Sequence, residues 1–136
     1  FLVDEDTNSF NKVMDAFGLP KATDEEKAVR TAAIQAATKY ATEIPLRTME
    51  RTFDAFEIIK AMVEEGSPSS VTDAGVGALC ARSAIIGAYM NVRINASGLK
   101  DREFADEMLA KGAEIERKAT ESEAEIIAIV NAKIDQ

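Results

Sequence analysis

The chain has 136 residues, which is the length of one domain. Hydrophobic residues make up 46% of it and charged residues 29%, an ordinary balance for a water-soluble protein. Sixteen basic side chains against 24 acidic ones give a net charge of −8, which disfavours electrostatic binding to nucleic acid or to anionic membranes. We therefore expect a single domain over residues 1–136 that binds neither nucleic acid nor membrane.

The chain contains no histidine and one cysteine, Cys80. The lack of histidine excludes Ser-His-Asp and Cys-His nucleophilic pairs and His-ligated zinc, so proton transfer falls to Asp, Glu, Lys, Tyr or Cys80. One cysteine cannot form an internal disulfide, and no apolar run looks long enough for a membrane span or a secretion signal. These features predict a cytoplasmic location. The chain begins at Phe1, in what the pattern indicates is mid-helix, so we expect a further segment upstream.

Turn residues are sparse, which predicts long helices and no strand. The first helix ends at Gly18-Leu19-Pro20. The second, over residues 24–42, begins with a capping box in which Thr23 is the N-cap and Glu26 is the third helical residue. The predicted inward faces are Leu2, Val3, Phe10, Val13, Met14 and Phe17 in the first helix, and Val29, Ala33, Ala36 and Tyr40 in the second.

Pro45 predicts the first turn of a third helix, because the N–H that proline lacks has no partner at that position anyway. This helix ends at Gly66. Lys60 lies within its apolar stripe, where it either extends its ammonium group past the stripe into water or contacts a ligand. The stripe consists of Leu46, Met49, Phe53, Phe56, Ile59 and Val63.

Residues 67–72 read as a loop, and Thr72 or Asp73 is the predicted cap of a fourth helix over residues 73–96. This helix is apolar nearly all round and rich in small residues, which is typical of a central helix approached closely by its neighbours. Cys80 reads as a small core residue rather than a nucleophile.

Gly98 ends the fourth helix, and a fifth covers residues 101–134. Its narrow apolar stripe on a highly charged rod is typical of a helix that packs along a bundle or a second subunit. The sequence thus predicts an all-α bundle of about five long helices. The stripe is Phe104, Met108, Ile115, Ala119, Ile126 and Val130.

Asp6 is the most informative polar residue. Helical periodicity places it on the apolar stripe between Leu2 and Met14, whereas Asp4 and Glu5 project into water. A carboxyl group buried on such a face resists ionisation and becomes a suitable general acid and base in a protein without histidine. The alternative is an Asp at the edge of the stripe, or one paired with an arginine or with a helix N-terminus.

A second polar group follows one side of the fourth helix, with amides and a carboxylate at its two ends and small residues between them. Such a surface can accept a flat ligand, since amides supply paired donors and acceptors to the edge of a ring. The alternative is a groove that receives another helix. The group consists of Asp73, Gly77, Ala84, Ala88, Asn91 and Asn95.

Several segments, in order over about the first 105 residues, resemble the cyclodeaminase/cyclohydrolase family of folate enzymes. They are Leu2-Val3-Asp4-Glu5-Asp6 followed by Phe10, Leu19-Pro20-Lys21 with Thr23 to Lys27, Ile44-Pro45-Leu46, Gly66 to Asp73, and Gly87-Ala88-Tyr89-Met90-Asn91-Val92-Arg93-Ile94-Asn95.

The resemblance implies an all-helical domain that dimerises and works in cytosolic one-carbon metabolism and, for the cyclodeaminase, in histidine degradation. The reaction that the resemblance implies closes 5-formiminotetrahydrofolate to 5,10-methenyltetrahydrofolate and releases ammonia. The family's catalytic acid is the second Asp of an Asp-x-Asp motif, which corresponds to Asp6. Asp4, Asp73, Asn91 and Asn95 are the expected substrate-binding residues, and no metal or other cofactor is expected.

Family members also carry, upstream of the matching segments, a Pro-Gly-Gly-Gly-Ser loop and two helices that this sequence lacks. The chain is therefore expected to represent the C-terminal two-thirds of the family domain, with part of the pocket missing.

Two other functions stay open. A methenyltetrahydrofolate cyclohydrolase would use the same carboxylate to activate water and would give 10-formyltetrahydrofolate. A non-enzymatic helical interaction module would bind no folate at all. The choice of residues that would hold a polyglutamate tail is equally open, and the candidates are Arg47, Arg51, Arg82, Arg93 and Lys100.

Overall fold

The structure, a computed structural model, describes residues 1–135. These residues fold into four α-helices, and a short 3₁₀ helix over Pro68–Ser70 precedes the third. Across the described residues we find helices and turns but no strand, which confirms the all-α prediction. The helices are α1 (Leu2–Phe17), α2 (Asp24–Glu65), α3 (Val71–Ser97) and α4 (Arg102–Ile134).

The prediction of separate second and third helices is wrong, because α2 continues through Pro45. A proline inside a helix leaves the carbonyl four residues earlier, here that of Ala41, without its usual partner. The side-chain amide of Asn95 donates to that oxygen at 2.8 Å. The neighbouring side chains of Ile44 and Met49 are fully buried, so tertiary packing offsets the cost of about 3 kcal/mol that a proline carries in a helix interior.

α3 is the central helix, as predicted, and packs against both α2 and α4. By length and composition alone α3 could cross a membrane, contrary to the expectation from the sequence. A core helix passes the same test, and one side of α3 is indeed buried in the core. The core around it consists of Met49, Phe56 and Val63 from α2, Ala74, Ala78, Ile85 and Val92 from α3, and Met108, Ala119, Ile126 and Val130 from α4.

The predicted inward face of α1 holds only for Leu2 and Val13, which are half-buried. The residues of α1 that are buried are Ser9 and Ala16, whereas Phe10, Met14 and Phe17 are more than half exposed. The helix packs on α2, and the side that meets α2 is the one with small residues, while the apolar stripe lies beside it. Periodicity locates such a stripe but does not say which neighbour covers it.

Two other expectations about helix faces are also wrong. Val29 is 64% exposed and Ala36 is exposed, so the predicted inward face of the first part of α2 holds only for Ala33 and Tyr40, which are half-buried. Cys80 is exposed on α3 rather than part of the core.

Of the two helix caps predicted from the sequence, one is confirmed and the other is wrong. The capping box is confirmed: the Glu26 N–H donates to Thr23 Oγ1 and the Thr23 N–H donates to Glu26 Oε2, each at 3.1 Å. The predicted cap at Thr72 or Asp73 is wrong, because α3 already begins at Val71, with the 3₁₀ turn leading into it.

Polar contacts tie α4 to the earlier helices. Lys60 Nζ lies 2.6 Å from Glu125 Oε1, so the lysine on the α2 stripe pairs across to α4. Arg82 Nε of α3 lies 3.2 Å from Glu123 Oε2. The predicted apolar stripe of α4 is confirmed, with Ile126 and Val130 among its buried members.

Candidate active site

A groove of about 420 Å³ lies where α1, α2 and α3 meet. It brings together Asp6 from α1 and Asn91 from α3, two residues that the sequence selects independently as candidate site residues. Pro45 and Thr48 of α2 line the same groove. The full lining is Leu2, Val3, Asp6, Thr7, Pro45, Thr48, Ala84, Gly87, Ala88 and Asn91.

Asp6 is exposed in the groove, so the predicted burial of its carboxyl group is wrong. The reason is the orientation of α1: its face around Ser9 packs on α2, which leaves Asp6 at the mouth of the groove. The hydroxyl of the buried Ser9 donates to the backbone oxygen of Asp6 at 2.8 Å. The carboxylate is thus held on a regular helix and is open to a ligand.

The α3 side of the groove is formed by small residues and one amide. Ala84, Gly87 and Ala88 leave room for a flat group, and Asn91 supplies both a donor and an acceptor at the edge of that room. The hydroxyls of Thr7 and Thr48 donate within their own helices, to the carbonyls of Val3 and Ile44, so their oxygens can still accept a hydrogen bond.

The other predicted site residues lie elsewhere. Asp73 is near the start of α3, roughly 27 Å along the helix from Asn91. Asn95 donates its side-chain N–H to the Ala41 carbonyl of α2. Asp4 is exposed on α1 and does not line the groove. The structure therefore brings together Asp6 and Asn91 but not the whole predicted set.

A hydrogen bond beside the groove joins α1 to α2. The hydroxyl of Tyr40 donates to the carboxylate of Glu5, the residue next to Asp6. This bond, made to an anion, raises the pKa of the Tyr40 phenol above its usual value of 10.0. The ammonium of Lys12 lies 4.2 Å from the Tyr40 ring. Both contacts join α1 to α2, and the Glu5 contact does so one residue from Asp6.

A second cavity, of about 820 Å³, adjoins the groove, and Leu2 lines both. Its α2 side carries two arginines. Arg47 lies 3.5 Å from Glu43 and Arg51 lies 3.4 Å from Asp54, in exposed ion pairs of the kind that contribute little to stability.

Comparison with known proteins decides the family. The family model described as formiminotransferase-cyclodeaminase matches residues 1–114. The chain belongs to the formiminotransferase-cyclodeaminase family.

Two curated relatives in this family have different activities in their names. Methenyltetrahydrofolate cyclohydrolase from Methylorubrum extorquens is 43% identical over 108 residues, which are 79% of this chain and 52% of that protein. Formimidoyltransferase-cyclodeaminase from Gallus gallus is 30% identical over 132 residues, 97% of this chain and 24% of that protein. The chain thus spans about half of the first relative and about a quarter of the second.

A solved structure agrees on the fold. Formiminotetrahydrofolate cyclodeaminase from Thermotoga maritima superposes with a TM-score of 0.82 at 22% identity, over 98% of this chain and 62% of that one.

Several residues that line the groove of this chain could not be selected from its sequence alone. Pro45 lies in one of the segments that carry the family resemblance but reads locally as a helix start, and Thr48 carries no signal of its own. Gly87 lies in another of those segments. Gly87 lies in the middle of α3, and a Cβ added there would meet no atom within 4 Å, so this glycine marks an open part of the helix surface.

Proposed function

We propose that the chain carries part of the active site of a folate one-carbon enzyme, in which Asp6 acts as general acid and base. The observation that carries the proposal is the convergence of Asp6 and Asn91 on one groove of a size suited to part of a small ligand. Family membership supports a folate substrate.

The first candidate reaction is the cyclisation of 5-formiminotetrahydrofolate. The formimino group reacts in its protonated, amidinium form: N10 attacks its carbon, a C–N10 bond forms while the bond to the =NH2⁺ nitrogen becomes single, and the N10 proton passes to the Asp6 carboxylate. The resulting carboxylic acid returns a proton to the former imino nitrogen. The bond from carbon to that nitrogen then breaks, ammonia leaves, and 5,10-methenyltetrahydrofolate remains. A single carboxyl group serves both proton transfers, a contribution of about 10²–10⁴-fold in rate.

Asn91 is the proposed orienting residue. Its amide can donate to and accept from the edge of a pterin ring while Ala84, Gly87 and Ala88 receive the ring face. Asp73, Asn95 and Asp4 lie outside this groove, and their proposed contact with substrate would need a part of the molecule that extends beyond it.

The second candidate is hydrolysis of 5,10-methenyltetrahydrofolate, and the 43% identity to the Methylorubrum cyclohydrolase favours it. Here Asp6 takes a proton from water as the oxygen adds to the methenyl carbon. The carbon–N5 bond then breaks, N5 receives that proton from Asp6, the remaining hydroxyl proton is released to solvent as the formyl C=O forms, and 10-formyltetrahydrofolate results. Both reactions use the same carboxylate and neither requires a cofactor. A homodimer and a cytoplasmic location remain predictions.

The test is an assay of the chain within its native polypeptide on enzymatically prepared 5-formiminotetrahydrofolate. Ammonia is measured together with the absorbance of the methenyl product. Parallel release of both identifies the cyclodeaminase. If neither ammonia nor methenyl product forms, and the absorbance of added methenyltetrahydrofolate falls, the enzyme is the cyclohydrolase.

The Asp6→Asn variant tests the catalytic assignment in whichever reaction occurs. We expect turnover to fall by about 10²–10⁴-fold. Asp15→Asn is the matched control, because Asp15 is an exposed carboxylate on the same helix outside the groove. An Asp6→Asn protein that folds normally and retains full turnover excludes this role for Asp6.

A further inference from the structure

The polar side chains that line the groove beside Asp6 are mostly hydrogen-bond acceptors. Among the described residues of this lining, Asp6 is the one ionisable group, and it is accompanied by no lysine or arginine. Thr7 and Thr48 each donate their hydroxyl proton to the carbonyl four residues earlier in their own helix, at 3.2 Å. A hydroxyl whose proton is engaged in this way offers a ligand its oxygen lone pairs.

Asn91 completes the polar lining from α3. Its side-chain amide supplies a further acceptor oxygen and the only N–H donor among the described side chains of the groove. Acceptors therefore stand on all three helices, together with one negative charge. The ligand group that complements such a lining is cationic and rich in N–H donors. Amidinium and guanidinium groups have both properties, since they carry several N–H bonds in one plane and a delocalised positive charge.

Thr48 is the best shielded of the two threonine acceptors. It is half-buried on α2, whereas Thr7 is exposed on α1. The neighbouring side chains of Ile44 and Met49 are fully buried, so packing holds this turn of α2 in place. A hydrogen bond is stronger where water is partly excluded, and an acceptor on a rigid helix needs no rearrangement to receive it.

We propose that Thr48 is a specificity-determining residue of the groove, whose hydroxyl oxygen accepts an N–H from an amidinium group of the ligand. The inference rests on the proposed function for its substrate, because the protonated formimino group of 5-formiminotetrahydrofolate is an amidinium. In 5,10-methenyltetrahydrofolate both nitrogens on the reacting carbon are fully substituted and have no N–H to donate. Thr48 thus favours the formimino substrate, since an acceptor left without its donor counts against a ligand that lacks one.

The first experiment measures binding without a folate. Benzamidine is a flat amidinium, and phenyltrimethylammonium is a cation of similar size without N–H bonds. Each is titrated into the native polypeptide that contains this chain, and the backbone amide NMR signals of the groove residues give the two dissociation constants. We expect benzamidine to bind more tightly. Thr48→Val keeps the branched shape but removes the hydroxyl, and should reduce this preference by about tenfold.

Thr52→Val is the matched control for that variant. Thr52 is half-buried like Thr48, lies one turn further along α2 and donates its hydroxyl proton to the Thr48 carbonyl at 2.8 Å, but it does not line the groove. This variant should leave the preference for benzamidine unaltered. Thr48→Ser retains a hydroxyl and should keep most of the preference. Equal losses in Thr52→Val and Thr48→Val would show that the hydroxyl supports the helix and not the ligand.

The second experiment compares the two folates. Thr48→Val should lower kcat/KM for the formimino substrate about tenfold more than for the methenyl substrate, and Thr48→Ser should restore the ratio. If the native polypeptide turns over only one of them, the other is measured as a competitive inhibitor and its inhibition constant is compared. Both folates carry the same pterin ring, so a contact between Thr48 and that ring would weaken both to the same extent.

Two results overturn the proposal. One is a Thr48→Val protein with an unaltered preference for benzamidine, and the other is an equal loss for the two folates. The benzamidine titration involves no folate, which keeps the two hypotheses apart. A native polypeptide that accepts neither folate, yet loses its preference for benzamidine in Thr48→Val, would contradict the proposed function and leave the acceptor role of Thr48 intact.

Discussion

Asn95 donates its side-chain N–H to the carbonyl oxygen of Ala41 at a distance of 2.8 Å. Ala41 is 8% exposed and lies one helical turn before Pro45, which has no N–H to offer that oxygen. A buried carbonyl without a partner costs about 1–3 kcal/mol. The Asn95 amide satisfies this carbonyl from a different helix, and it joins α3 to α2 beside the candidate site.

Asn95→Ala should therefore destabilise the protein by about 1–3 kcal/mol in urea unfolding. The cost depends on the proline, because Pro45→Ala restores the backbone N–H that the Ala41 carbonyl lacks. In a Pro45→Ala background we expect Asn95→Ala to cost clearly less, and a double-mutant cycle measures the difference. An equal cost in both backgrounds would show that the amide does not act through this carbonyl.

The same contact explains why the sequence predicted some parts of the fold and not others. The capping box of Thr23 and Glu26 needs partners within one helical turn, so local pattern is enough to find it. Continuation of α2 through Pro45 is supported by contacts with other helices, among them the bond from Asn95, and no window of local sequence contains that information. Pro45 alone therefore reads as a helix start.

The candidate site divides in the same way. Periodicity singled out Asp6 and the small-residue side of α3 around Asn91, and both line the groove. It placed Asp6 in the core, because the pattern of α1 marks an apolar strip without saying whether anything covers it. Asp73 shares a helix side with Asn91 but lies too far along α3 to share its groove.

Two helical glycines should respond to alanine in opposite directions. A Cβ at Gly112 of α4 would lie 2.5 Å from Cδ2 and Cε2 of the Tyr89 ring. The Tyr89 hydroxyl donates to the Leu109 carbonyl at 3.0 Å, which holds the ring in place. Gly112→Ala should destabilise by about 1–3 kcal/mol through overpacking, even though alanine favours a helix.

Gly87→Ala is the matched comparison, since open space surrounds that position. We expect it to stabilise the chain by about 0.5–1 kcal/mol, because alanine loses less backbone entropy in a helix. Chemical unfolding of both variants is the measurement. A Gly112→Ala protein as stable as the parent would mean that the Tyr89 ring can move aside freely.

The N-cap of α4 should make stability depend on acid pH. Asp101 accepts a hydrogen bond from Lys39 Nζ at 2.5 Å and another from the Phe104 N–H at 3.1 Å. The Lys39 contact first, and the backbone bond second, lower the pKa of the Asp101 carboxyl below its ordinary value of 3.8. The folded state therefore holds this proton less tightly than the unfolded state does.

It follows that the charged form of Asp101 contributes stability above about pH 3.8, and that this contribution is lost as the pH falls through the lower native pKa. Asp101→Asn keeps a cap acceptor but removes the charge. We expect it to be less stable than the parent at neutral pH, with a difference that shrinks steadily in acid. Urea unfolding across this range measures it, and a difference independent of pH would contradict the role of the charge.

Asn91 and Asp6 should affect catalysis differently if the proposed roles hold. Asn91 orients the substrate through hydrogen bonds present both before and during reaction, so Asn91→Ala should raise KM and leave kcat nearly unchanged. The loss of one hydrogen bond worth about 1.5 kcal/mol corresponds to a rise of about tenfold in KM. Asp6→Asn should instead lower kcat, since proton transfer occurs in the chemical step.

Asn131→Ala removes an exposed amide from α4, outside the groove, and is the control. Steady-state kinetics of the three variants separate the roles. An Asn91→Ala protein with unaltered KM would remove Asn91 from the site, and with it the convergence on which the proposed function rests.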